Sequence, residues 1–67
     1  MKVTVNGRVM KLDEGATVKG LLRIEGIEEP RGVAVAVDGC VVARGEWAVT
    51  FLQDGQRVEI LRAVQGG

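Results

Sequence analysis

Histidine is absent from this 67-residue chain, and cysteine occurs once, at Cys40. Those two facts close off several chemistries. One thiol cannot form an internal disulfide, and without histidine there is no His-based triad and no Cys/His zinc site. A single unpaired thiol suits a reducing, cytoplasmic setting. Aromatic side chains are nearly missing: Trp47 and Phe51 stand alone, too few for a platform that stacks bases. Net charge is missing too, since Lys+Arg and Asp+Glu are both 9. No basic run points to nucleic acid, and no acidic tail points to disorder. The longest aliphatic run, Val33 to Val37, is far short of the ~20 residues that cross a bilayer. The N-terminus opens on a strand pattern, with no charged-then-apolar leader. Neither a nucleic-acid nor a membrane partner is therefore expected. Gly15 to Gly20 lacks the order of a phosphate-cradling loop, so no bound cofactor is expected, and no metal.

What remains is a chain with 46% hydrophobic and 27% charged residues, the balance of one that folds around a core. Residues 1–67 read as one small domain. A domain of this size buries only about 60% of its unfolded surface and has little room for a deep pocket.

Met1 to Val5 alternates apolar and polar, the mark of a half-buried strand. Asn6-Gly7 predicts a type I′ hairpin turn, and Arg8 to Leu12 the returning strand. Met1, Val3, Val5, Met10 and Leu12 then face the core and Val9 faces out. Thr17 is a good N-cap, with Val18, Leu21 and Leu22 on one helical face. Gly20 inside that helix suggests close packing on the sheet. Gly26 should end the helix as a left-handed residue, with Ile27 packed back on Leu22. Val33 to Val37 is a third strand with small residues on one face. Asp38-Gly39 turns into Cys40 to Val42. Ala43 to Thr50 is a connection in which Trp47 covers one end of the core. Asp54-Gly55 turns into the last strand, Arg57 to Val64. The order β-β-α-β-β-β asks one helix to cover one face of a mixed sheet. The first and last strands should lie side by side in the middle. This is an α+β, β-grasp arrangement with its other face open.

The sequence finishes Ala63-Val64-Gln65-Gly66-Gly67. Glycine lacks Cβ and can thread a slot too narrow for other residues. Residues 65–67, read as a flexible tail, would extend about 10 Å. A terminal carboxyl, with a pKa of about 3.3–3.7, is an anion at neutral pH and a poor electrophile. Chemistry at that carbon needs prior activation, and ATP-dependent adenylation is the usual route.

The whole chain resembles the ThiS family of thiamine-pathway sulfur carriers. The resemblance rests on Met1 to Gly7, on Glu14-Gly15-Ala16-Thr17-Val18 with Leu21-Leu22, and on Arg31-Gly32-Val33-Ala34-Val35-Ala36-Val37. It continues through Glu46-Trp47-Ala48, Asp54-Gly55, Val58-Glu59-Ile60 and Ala63-Val64-Gln65-Gly66-Gly67. Cys40 and Gly45 depart from the family, which more often has polar residues there. The resemblance implies a ubiquitin-like β-grasp fold and a non-enzymatic carrier whose Gly67 carboxylate is converted to an acyl-adenylate by a ThiF-type, E1-like adenylyltransferase that uses ATP. A sulfur donor such as a cysteine desulfurase would then turn it into a thiocarboxylate. A ThiG-type thiazole synthase would take the sulfur. Gly66 and Gly67 are the positions that carry over.

Gln65, Val64 and Leu61 are read as partner-binding beside them. Val9, Leu61 and Val64, interleaved with Arg57 and Arg62, are expected to form a docking patch on the open sheet face. Cys40 reads as a small residue flanking a turn, with a relay thiol as the competing reading. The alternatives for the whole chain are a molybdopterin-synthase small subunit, another sulfur carrier for tRNA or cysteine synthesis, and a ubiquitin-like protein modifier. A stand-alone enzyme has no constellation of residues to support it.

Overall fold

Val3 and Val5 alternate with Lys2 and Thr4 along β1 (Lys2–Val5), and both valines are 1% exposed. That alternation fixes which side of the sheet is the inside. The computed structural model describes residues 1–29 and 31–63. Asn6 and Gly7 both have positive φ, 49° and 83°, as a type I′ turn requires. β2 (Arg8–Lys11) returns antiparallel, with Val3 opposite Met10 and Thr4 opposite Val9. Val9 faces out and Leu12 is buried, as expected. Met1 and Met10 sit at the margin of the core, only partly buried.

Helix α1 (Val18–Ile24) starts where the Thr17 hydroxyl accepts the Gly20 N–H at 3.1 Å. Val18, Leu21 and Leu22 are its buried residues. Gly26, at φ 79°, ends it. The Ile27 N–H reaches the Leu22 carbonyl at 2.8 Å and the Gly26 N–H that of Arg23 at 3.0 Å. These are the paired bonds of a Schellman motif, and Leu22 and Ile27 are both buried beside it. Gly20 does not behave as expected. A Cβ built there would meet only the Thr17 hydroxyl, at an ordinary 3.5 Å, so close packing on the sheet is not its reason. Gly20→Ala should therefore stabilise the fold by about 0.5–1 kcal/mol through helix propensity, read from urea denaturation.

β3 (Val33–Val37) and β4 (Cys40–Val42) form a second hairpin around Asp38 and Gly39, both with positive φ. A 3₁₀ turn, Arg44–Glu46, follows, and β5 (Arg57–Arg62) closes the chain's sheet. The five strands are ordered β2-β1-β5-β3-β4. β5 is thus central, parallel to β1 and antiparallel to β3. Val3, Val5, Val35, Val37, Val58 and Ile60 join α1's apolar residues in one buried cluster. This is the β-grasp architecture. The strand expected to reach Val64 is described as far as Arg62, and the tail 65–67 lies outside the described residues.

Two long-range links were not visible in the local patterns. Trp47 is buried and its Nε1–H donates to the Val42 carbonyl at 3.0 Å. The same connection closes the start of α1: the N–H groups of Val18 and Lys19 donate to the carbonyls of Thr50 and Trp47. The second link is Asn6. Its Oδ1 accepts the Ile60 N–H at 2.8 Å, and its Nδ2 donates to the Ile60 carbonyl at 3.1 Å. The β1–β5 ladder pairs Thr4 with Arg57 and Val5 with Val58. As the backbone turns away, the Asn6 side chain supplies the next rung. Asn6→Ala loses both bonds and puts alanine at φ 49°, which should cost about 2–4 kcal/mol. Asn6→Gly relieves the backbone but not the bonds. It should still cost about 1–3 kcal/mol in the same denaturation.

Candidate functional site

The outward alternation of the strands decides what the open face presents. Arg57, Glu59 and Leu61 alternate with the buried Val58 and Ile60. Leu61 stands opposite Ala34, and Glu59 opposite Ala36, which in turn faces Val41. Leu61 and Val41 are 69% and 79% exposed. With the two alanines between them they make a shallow apolar shelf, bordered by the Glu59 carboxylate and the Arg57 guanidinium.

The docking patch read from sequence is divided by this geometry. Arg62 lies an odd number of residues from Arg57, so its side chain leaves the opposite face of β5. Val9 is on the open face but on β2, opposite Thr4, which pairs with Arg57. From the Arg57 row to Leu61 is about 13 Å along the strand, so Val9 and Leu61 do not share a patch. Val41, Ala34 and Ala36 were missed. The Val-Ala-Val-Ala-Val alternation already held the signal for the alanines.

The described chain leaves the sheet at Ala63, whose N–H donates to the Gly32 carbonyl at 2.6 Å. Gly32 has φ 73°, and a Cβ there would come within 3.2 Å of the Ala63 methyl. Glycine is thus needed twice over where β5 passes. Val64, Gln65, Gly66 and Gly67, the other site residues expected from sequence, lie outside the described residues. Cys40 is exposed and pairs with Val37, whose other neighbour is Val58. That puts it at the start of β5, roughly 13 Å of strand from the Arg62 end. That is the placement of a turn-flanking residue, and the competing relay reading turns on residues 64–67, which lie outside the described residues.

Among the described residues no three of His, Cys, Asp and Glu gather as metal ligands. No described helix is long and apolar enough to cross a membrane. A cleft of about 480 Å³ separates α1 from the 3₁₀ turn, rimmed by Lys19, Arg23 and Arg44.

The ThiS family profile matches residues 3–67. The chain belongs to the ThiS family. The sulfur carrier protein ThiS of Escherichia coli K12 is 31% identical, with the match covering 100% of both chains. A thiazole synthase of Magnetococcus marinus is 34% identical over all of this chain, which spans 20% of that longer protein. The ThiS thiamine-biosynthesis protein of Geobacter metallireducens has the same fold. Its crystal structure superposes with a TM-score of 0.81 at 33% identity, covering 100% of both chains. Its solution structure gives 0.82, covering 100% of this chain and 88% of that one. This ThiS-family chain is accordingly a sulfur carrier of thiamine biosynthesis with a β-grasp fold.

Proposed function

We propose that the carrier works through the carboxylate of Gly67. A carboxylate oxygen attacks the α-phosphorus of ATP in a ThiF-type adenylyltransferase, and pyrophosphate leaves. The acyl carbon then bears AMP, a good leaving group. The terminal sulfur of a persulfide on a donor such as a cysteine desulfurase displaces AMP to give an acyl disulfide, and a thiol reductant supplies the two electrons that cleave its S–S bond and release the thiocarboxylate. Its sulfur is a better nucleophile than the original oxygen, and thiazole synthase consumes it. The supporting observation is the likeness to a sulfur carrier protein over 100% of both chains, a match that takes in Gly66-Gly67. The stretch of a thiazole synthase that matches this chain favours that enzyme as the acceptor. This chain contributes a grip and a tethered carbon. Adenylation, sulfur transfer and ring formation belong to its partners.

The test is incubation with ATP, a ThiF-type adenylyltransferase, a cysteine desulfurase, cysteine and a dithiol reductant, followed by intact mass. One sulfur for one oxygen adds about 16 Da to the free protein. No gain, or adducts on the lysines of other proteins, would overturn the reading.

Leu61 stays in the proposal as a partner contact, at one end of the exposed shelf rather than in a strip with Val9 and Arg62. Leu61→Asp should raise the KM for adenylation about tenfold or more, because a carboxylate would enter an apolar contact. The melting temperature should hardly move, since the side chain is exposed. An unchanged KM would remove Leu61 from the interface.

A further inference from the structure

The cleft between α1 and the 3₁₀ turn is on the other side of the molecule from the shelf. Its floor is closed by Leu22, Ile27 and Trp47, all buried. Its rim carries Lys19 and Arg23, one helical turn apart, and Arg44 from across the gap. Like charges at that helical spacing repel weakly, and Arg23, in the last turn, also complements the helix C-terminus. Glu28 is the single carboxylate among the lining residues. The ion pairs among the described residues are Met1 with Glu14 and Arg8 with Glu25, and neither draws on these cations. A second groove, about 640 Å³, shares Arg44, adds Arg62 beside Ala63 and reaches Ala34 and Leu61 at one end of the shelf. The basic rim therefore continues from α1, past the 3₁₀ turn, to the end of β5. It does so in a chain with no net charge.

The shape of this rim selects its ligand. A compact anion such as phosphate is held by convergent backbone N–H groups, most readily at a helix start. At α1 those groups are spent: Val18, Lys19 and Gly20 donate to Thr50, Trp47 and Thr17. What remains is a line of long cationic side chains above an apolar floor. That pattern suits an extended acidic segment, recognised by its carboxylates. We propose that the cleft along Lys19, Arg23 and Arg44, with its extension to Arg62, docks an extended acidic segment of a partner protein. The cleft at Lys19, Arg23 and Arg44 includes none of the shelf residues, its extension meets the shelf only at Ala34 and Leu61, and the proposal does not depend on the chemistry proposed for Gly67. It would let one partner hold the carrier while another works from the sheet side.

The probe is the capped peptide acetyl-Glu-Asp-Leu-Glu-Asp-Val-amide, titrated into ¹⁵N-labelled protein in about 20 mM salt, where screening is weak. Saturable shifts are expected at the amides of Lys19, Arg23, Gly45 and Ala48, complete below roughly 5 mM peptide. The Arg23→Glu, Arg44→Glu double variant should weaken binding about tenfold or more, and Lys19→Glu should weaken it in the same direction. The Lys2→Glu, Arg57→Glu double variant makes the same charge change on the sheet face. It should alter binding less than about twofold. A dispersed spectrum for each variant reports that it is folded. Absence of saturable shifts overturns the proposal, as does equal weakening in the two double variants. Pyrophosphate saturating the same amides at lower concentration than the peptide would make this a compact-anion site instead.

Discussion

Deleting Gly67 is expected to abolish the sulfur-dependent mass gain while leaving the fold intact. The deletion does not simply shorten the reach by one residue. It moves the reacting carboxyl back onto Gly66, about 3.5 Å nearer the folded body, and leaves Gln65 one position closer to the reacting carbon. A slot that accepts two residues without Cβ would now meet a glutamine side chain. Turnover should fall by at least about a hundredfold, since a displacement of about 1 Å can cost that much in a positioned reaction. The buried cluster runs from Val3 to Ile60, so the melting temperature should stay within roughly 2 °C of the full chain. A deletion variant that still acquired sulfur at the normal rate would place the chemistry elsewhere on the chain. One that unfolded would make the end structural.

Leu21→Ala has the largest expected effect on stability. Leu21 is the largest fully buried side chain, at 0% exposure, and it sits on the helix face that meets the sheet. Truncating a buried leucine costs about 2–5 kcal/mol, a lost transfer term plus a residual cavity. A domain this short is stable by only about 3–10 kcal/mol. A loss near 3 kcal/mol should lower the melting temperature by roughly 12–24 °C, measured by thermal unfolding followed by circular dichroism. Leu21→Met, which keeps the volume, should cost less than about 1.5 kcal/mol. If alanine cost under about 1 kcal/mol, the helix would not be seated on the sheet as described.

Much of this architecture was legible because its signals are local. Asn6-Gly7 and Asp38-Gly39 announce their turns through the φ values they tolerate, and Gly26 with Ile27 announces the helix stop. The expectation that the first and last strands are neighbours holds in the β1–β5 pairing. What could not be read depends on pairs far apart in the chain. Asn6 has a sufficient local explanation as a turn residue, so nothing in its neighbourhood points to Ile60, 54 positions away. The connection that closes the start of α1 is likewise invisible, because Trp47 and Thr50 act there through carbonyls, which every residue has. Gly20 was over-read: a glycine in a helix invites a packing explanation, and the structure offers none. Arg62 is a different kind of miss. The two-residue period of a strand already put it on the face opposite Arg57, and only the grouping of charges by sequence proximity hid this. Of the candidate site, the outward placement of Leu61 was legible from the strand period, and the shelf around it follows from the cross-strand register, which the sequence does not encode locally.

β5 joins two hairpins that, among the described residues, share no other strand contact: β1–β2 on one side and β3–β4 on the other. An isolated two-stranded hairpin is marginal in water at best. During synthesis both ribbons emerge before the strand that stitches them, so the sheet cannot assemble until Arg57–Arg62 has left the ribosome. A single proteolytic cut between Leu52 and Arg57 would sever the stitch from both ribbons and leave its pairing dependent on reassociation.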